Sequence, residues 1–256
     1  MIGVSKLYCG TVEPSDPLRY RRKSNELPSH LLQFSEDKKP VIVWNMTRAC
    51  NLSCLHCYAS ATPGPAPDEL TLEECLALMT DLTNFGVPVI LFSGGEPLTH
   101  PHLFELVEAA VKGGSRAVLS TNGLLLTKDK AQKLKALGLS YVGISLDGLE
   151  GPHERLRRLK GSFQKALDAV DIALSCGLKV GLRLTMTKSN LSDLNALFDL
   201  MIQGGVPRVC FYHLVDSGDN PSLLAQRLSH EETREALDII CQRTRDLHER
   251  GLPTEV

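Results

Sequence analysis

The chain has 256 residues, 43% of them hydrophobic, and a formal net charge of −2. That length suits one large α/β domain or two small ones, and that composition excludes a disordered chain and any global field drawing it to nucleic acid or a membrane surface. No apolar run reaches the roughly 18 residues of a membrane span and the N-terminus lacks a secretory signal, so the eight cysteines read as ligands or buried thiols in a cytoplasmic protein rather than as disulfides.

Residues 1–39 form a leader with little periodicity and a basic run, Arg19-Tyr20-Arg21-Arg22-Lys23. From Pro40 onward the period alternates between strand and helix. Val41–Trp44 is an apolar strand. Thr71-Leu72-Glu73-Glu74 is a capping box opening a helix with Leu72, Cys75, Leu76, Met79 and Leu82 on one stripe, ending near Gly86. Val87–Phe92 is the second strand. A helix from Pro101 buries Leu103, Phe104, Leu106, Val107, Ala110 and Val111 and stops at Gly113-Gly114. Ala117–Leu119 is the third strand, and Thr127 caps a helix to Leu137. Tyr141–Ser145 is the fourth strand, followed by a helix over Phe163–Cys176. Lys179–Thr185 is the fifth, followed by a helix over Leu191–Ile202. Val206–Tyr212 is the sixth. Ser229-His230-Glu231-Glu232, a second capping box, opens a helix towards Arg250. Near-continuous apolar strands between helices predict a parallel sheet covered on both faces, joined by right-handed crossovers. Six such units predict an open barrel with functional groups at the strand C-termini. Cys75, Cys176, Cys210 and Cys241 fall on apolar stripes and are expected in the core.

Cys50, Cys54 and Cys57 form C-x3-C-x2-C directly after the first strand. Soft thiolates select zinc or iron–sulfur clusters. Structural zinc wants four ligands, and His56 as the fourth gives a cramped chelate. A ferredoxin run supplies four cysteines per cluster. Three thiolates can hold three irons of a cubane and leave the fourth open, whereas a closed site only passes electrons or holds structure. Ser93-Gly94-Gly95-Glu96-Pro97, Ser120-Thr121-Asn122-Gly123 and Ile144-Ser145-Leu146-Asp147-Gly148 each follow a predicted strand. Each is also an ordinary turn signal when taken alone.

Together these motifs resemble the radical S-adenosylmethionine superfamily. The resemblance implies an α/β fold: a partial (β/α)6 radical S-adenosylmethionine barrel, open on one side. It implies a [4Fe-4S] cluster on Cys50, Cys54 and Cys57, with S-adenosyl-L-methionine chelated at the open iron and cleaved to a 5′-deoxyadenosyl radical. Gly94, Gly95, Glu96, Pro97, Thr121, Asn122, Ser145, Asp147, Arg157 and Arg183 are the cofactor contacts it implies. Arg157 matches an arginine of the family pattern H-D-x-x-R-G, but Arg158 stands in place of the glycine. If that position needs a positive φ, the loop must bend differently.

Lys6–Gly10, Leu27–Phe34, Val41–Asn45, Tyr141–Gly148 and Arg208–Val215 are similar to the tetrapyrrole-modifying subgroup. That similarity implies removal of acetate side chains from 12,18-didecarboxysirohaem, leaving iron-coproporphyrin III. The alternatives are a haem d1 enzyme acting on propionates, a peptide-modifying maturase, or, outside catalysis, an electron carrier or zinc-held scaffold. The implied partners are an iron tetrapyrrole and a low-potential electron donor, with no nucleic acid and no membrane. Arg19, Arg21, Arg22 and Arg183 are candidates for the substrate carboxylates, since an arginine fork matches a carboxylate. Arg183 is expected to point into the barrel. His213, ending the sixth strand, is a candidate for contact with the tetrapyrrole or for proton handling. The expected organisation is a leader (1–39), a six-stranded core (40–228), and a last barrel helix (229–256) leading to a missing C-terminal extension that carries a possible auxiliary cluster.

Overall fold

The computed structural model describes residues 3–10, 39–215, 221–252 and 254–256. Arg19, Arg21, Arg22 and the stretch Leu27–Phe34 lie outside them.

Six strands, β1 (Ile42–Asn45), β2 (Val89–Ser93), β3 (Arg116–Thr121), β4 (Tyr141–Ser145), β5 (Val180–Met186) and β6 (Val209–His213), form one sheet in chain order. Every neighbouring pair is parallel. Strands β1 and β6 are not paired with each other, so the barrel is open along that side. The helices are α1 (Val4–Cys9), α2 (Leu72–Phe85), α3 (Leu103–Lys112), α4 (Lys128–Ala136), α5 (Glu150–Arg157), α6 (Ser162–Ser175), α7 (Leu194–Gln203), α8 (Pro221–Leu224) and α9 (His230–Glu249). Fully buried Phe92, Leu103, Leu106, Leu119, Ile144 and Phe198 belong to one core between sheet and helices. Both predicted capping boxes are formed: Thr71 with Glu74, and Ser229 with Glu232.

Several predicted boundaries move for identifiable reasons. Strand β2 starts at Val89 rather than Val87, because Val87 N–H closes α2 by donating to Leu82 O at 3.0 Å and Pro88 has no N–H for a ladder. Likewise β6 starts at Val209 rather than Val206. Val206 N–H bonds Met201 O at 2.9 Å at the exit of α7, and Pro207 again offers no donor. Strand β3 runs on to Thr121, which carries Ser120 and Thr121 within the sheet instead of after it. The first turn of the helix predicted from Leu191 is a 3-10 turn over Leu191–Asp193, and α7 follows it.

Two helices carry little sequence signal. Helix α5 is short and polar, with Gly151 and Pro152 in its first turn. Helix α1 lies within the predicted leader and packs against α9. Its Val4 N–H donates to Val256 O at 2.7 Å, and Ser5 Oγ accepts from Val256 N–H at 2.8 Å. Cys75 and Cys210 are buried as expected, whereas Cys176 and Cys241 are only half-buried. No helix among the described residues is long and apolar enough to cross a membrane.

Candidate active site

The loop after β1 is held before it reaches the cysteines. Glu69 Oε1 accepts from Thr47 Oγ1 (2.9 Å), Arg48 N–H (2.8 Å) and Ala66 N–H (3.0 Å); burial is the largest single influence and acts to raise its pKa, but these bonds to the charged form together hold its carboxyl below the usual range. Cys50 N–H donates to Thr62 O at 2.8 Å, closing the loop on itself. From the other side the Gly94-Gly95-Glu96 segment runs alongside it. Gly95 N–H reaches Thr47 O at 2.7 Å and Glu96 N–H reaches Ala49 O at 2.8 Å. Both glycines are needed for this approach: a Cβ at position 94 would lie 2.5 Å from Thr47 O, and one at position 95 would lie 2.2 Å from Ala49 O. Gly94 in addition has φ +135°, a conformation open to few other residues.

Two buried carboxylates flank the cysteine loop. Glu96, with no exposed surface, accepts at Oε1 from Leu98 N–H (3.0 Å) and Thr121 Oγ1 (2.7 Å), and at Oε2 from Asn122 N–H (2.8 Å). Burial raises its pKa despite these donors. Held this way, Asn122 points Nδ2 at Asn51 Oδ1 (2.8 Å) and Cys50 Sγ (3.9 Å). Asp147, also fully buried, accepts at Oδ1 from Thr185 N–H at 2.9 Å. Its Oδ2 pairs with Arg157 Nη2 at 2.5 Å and His56 Nε2 at 3.2 Å. Burial works to raise the Asp147 pKa, but Arg157, His56 and the Thr185 amide together hold it well below the ordinary carboxylate range. Burial, reinforced by the nearby Arg157 charge, pushes His153 down to about 4. Its neutral Nδ1 accepts from Asp147 N–H at 3.1 Å.

Through Asp147, Arg157 is set against the second cysteine, Nη1 to Cys54 Sγ at 3.7 Å. Cys50 Sγ accepts from Leu52 N–H at 3.4 Å and Cys57 Sγ from Ala61 N–H at 3.5 Å. Burial pushes the Cys50 thiol up to about 11 and raises Cys54 too, although Arg157 pulls the latter down. Arg158 takes up the left-handed conformation itself, φ +56°. It caps α5 with its N–H near Arg155 O and Glu154 O, so an arginine here supplies the positive φ.

The three thiols open on a cavity of about 500 Å³ at the C-terminal ends of the strands. Gly94, Gly95, Thr121, Asn122, Ser145, Asp147, Arg157, Arg183 and His213 also line it. The predicted site residues within the described chain therefore converge, with two qualifications from geometry. Glu96 and Pro97 lie buried behind the wall, and Asp147 has both oxygens engaged within the protein. His213 sits exposed at the rim. Sequence reading did not single out Glu69, Thr185 or Tyr212, and gave His56 only as a zinc ligand. The capping-box-like reach of Glu69 across a loop leaves no fixed spacing to find. The position of His56 inside the cysteine triplet was the available signal.

Among the described residues no three His, Cys, Asp or Glu side chains converge as single-ion ligands do. The three thiols line one cavity.

The profile of the Radical SAM superfamily matches residues 44–201. The chain is 56% identical over all its 256 residues to Fe-coproporphyrin III synthase of Methanosarcina barkeri, of which it spans 64%. It is 37% identical over 85% of its length to pre-heme d1 synthase of Dinoroseobacter shibae, spanning 54% of that protein. It is 33% identical over 79% of its length to AdoMet-dependent heme synthase of Nitratidesulfovibrio vulgaris, spanning 56% of it. The fold is similar to that of anSMEcpe with bound AdoMet (TM-score 0.71, 19% identity, 84% of this chain and 62% of that one). It is also similar to Streptococcus suis SuiB bound to S-adenosylmethionine (TM-score 0.68, 15% identity, 82% and 48%).

Proposed function

From the premise that the chain belongs to the radical S-adenosylmethionine superfamily, we propose that it is the catalytic core of an enzyme removing acetate side chains from 12,18-didecarboxysirohaem to give iron-coproporphyrin III. The observation that carries this reading is the identity to Fe-coproporphyrin III synthase, 56% across the whole chain, against 37% for the haem d1 relative and 33% for the AdoMet-dependent heme synthase.

The site fits the cofactors this reading requires. Cys50, Cys54 and Cys57 would hold a [4Fe-4S] cluster. All three thiols line one cavity and each sulfur has an N–H donor directed at it, from Leu52, Arg157 and Ala61, as thiolate ligands require. When bound, a reduced cluster with one open iron supplies the reductive cleavage of the S-adenosylmethionine sulfonium. A low-potential donor supplies the electron. The protein's own residues do the rest. Glu69 and the Gly94-Gly95 backbone fix the loop, Asn122 and Arg157 direct donors at two of its sulfurs, and Leu91 and Leu214 give the cavity apolar walls.

Anaerobic reconstitution tests the proposal. The reduced protein is expected to form 5′-deoxyadenosine from S-adenosylmethionine, and Cys54→Ala to abolish it. With didecarboxysirohaem, mass spectrometry is expected to show loss of the acetate carbons. Cofactor cleavage without that mass change would remove the tetrapyrrole assignment. Tight zinc binding without cleavage would replace the enzyme by a scaffold.

A further inference from the structure

We infer that the exposed basic turn closing α5 is the docking surface for an acidic electron-carrier protein. The turn lies against the cysteine loop: Leu55 N–H, between the second and third cysteines, donates to Leu156 O at 2.8 Å. Around that bond the cations divide. Arg157 turns inward, with Nη1 3.7 Å from Cys54 Sγ. Arg155, Arg158 and Lys160 are exposed, and Leu159, 36% exposed, stands among them. Residues 150–165 hold five Arg and Lys against two Glu, in a chain whose net charge is −2. Of those two, Glu154 spends Oε1 on the Gly161 N–H. Across the contact, residues 49–67 contain no Asp or Glu. Among the described residues, Arg155, Arg158 and Lys160 form no ion pair.

Arg158 adds a second observation. It and Ser60 are the two non-glycine residues of positive φ among the described residues, and Arg158 stands where glycine would sit without strain. A backbone outlier at an exposed residue with no internal ion pair points to a role outside the fold. Gathered charges of one sign raise the local potential, draw in a partner of the opposite sign and speed its encounter, an effect that salt screens. Electron transfer falls steeply with distance, so a carrier has to seat where little protein covers the acceptor. Here one backbone hydrogen bond joins the basic turn to the stretch between Cys54 and Cys57. The other basic surface is α4, with Lys128, Lys130, Lys133 and Lys135, and it packs on α3 and α6 instead.

This inference rests on the function proposed above, in which the carrier loses one electron and the cluster on Cys50, Cys54 and Cys57 gains it. The experiment uses the anaerobically reconstituted full chain with purified flavodoxin, an acidic flavoprotein, as the probe. Wild type is compared with a turn variant, Arg155→Gln, Arg158→Gly and Lys160→Gln combined. A control variant removes the same number of charges from α4, Lys128→Gln, Lys133→Gln and Lys135→Gln combined. Flavodoxin affinity is measured at low and high salt. Formation of 5′-deoxyadenosine is measured with reduced flavodoxin and, separately, with dithionite. Thermal unfolding verifies that each variant is folded.

The wild type is expected to bind flavodoxin more weakly as salt rises. The turn variant is expected to lose about tenfold or more in affinity at low salt and to slow with flavodoxin in proportion, while its rate with dithionite stays at the wild-type level. The α4 control is expected to match the wild type in every arm. A wild type that forms no 5′-deoxyadenosine with dithionite removes the proposed function alone, and the affinity arm then decides the docking surface. Undiminished flavodoxin affinity in the turn variant, or an equal loss in the α4 control, overturns the inference. So does a wild type that binds a single-stranded oligonucleotide through this turn and does not bind flavodoxin.

Discussion

At the scale of single residues, Asp147 does more structural work than its exposure suggests. One buried carboxylate holds the Thr185 amide, Arg157 and His56. Removing one partner of such a group leaves a buried charge unpaired, at a cost of about 3 to 5 kcal/mol. Asp147→Asn is therefore expected to lower urea stability by that order. The pH dependence follows from its depressed pKa. The stabilisation is complete above the unfolded-state value, near about 3.9, and is lost as pH falls through the folded value. Thermal unfolding of the wild type should weaken steeply below that point. The Asp147→Asn variant, which has already lost the contribution, should show a shallower acid decline. Equal slopes for the two proteins would mean that the ion pairs add nothing net.

At the scale of elements, the contact between the cysteine loop and the segment after β2 is backbone against backbone. A methyl group at position 95 would meet Ala49 O at 2.2 Å, whereas one at Gly64 would meet nothing within 4 Å. Gly95→Ala is expected to lose about 1 to 3 kcal/mol, as overpacking does, and to bind less iron on reconstitution. Gly64→Ala serves as the control in the same assay. The strands and capping boxes were legible because they depend on residues near one another in the chain. Thr71 with Glu74 and Ser229 with Glu232 are of this kind. So were the motifs at strand ends, since strand, turn and polar residue are contiguous. The bonds between motifs were not legible. Glu96 to Asn122 spans 26 positions and Arg157 to Cys54 spans 103, and no local pattern encodes that Asp147 spends its oxygens on protein donors. Helix α5 escaped because its first turn contains Gly151 and Pro152, weak helix formers in most contexts. Arg158 takes the left-handed conformation itself. The cost of a left-handed non-glycine residue, about 1 to 2 kcal/mol, is small enough for the surrounding contacts to absorb.

At the scale of the whole molecule, the first and last described segments meet. Helix α1 packs on α9, and Ser5 Oγ both donates to Val256 O (3.3 Å) and accepts from Val256 N–H (2.8 Å). Ser5→Ala removes the acceptor of the Val256 N–H, while Val256 O keeps the Val4 N–H, an effect of about 1 to 3 kcal/mol. It is expected to shift the urea midpoint while leaving iron content unchanged, because the contact lies away from the cavity lining. A fall in iron content in this variant would show that the two regions are coupled. The barrel is open between β1 and β6. Among the described residues, exposed Val43 and Val215 stand at the cavity lining.

The sheet order, in which each strand lies beside its predecessor, also sets a timetable. During synthesis the sulfur-bearing loop leaves the ribosome early, yet the guanidinium that contacts Cys54 is made 103 residues later. A nascent chain stalled before α5 lacks the guanidinium directed at Cys54. The full ring of donors around the three thiols exists only once Arg157 has emerged.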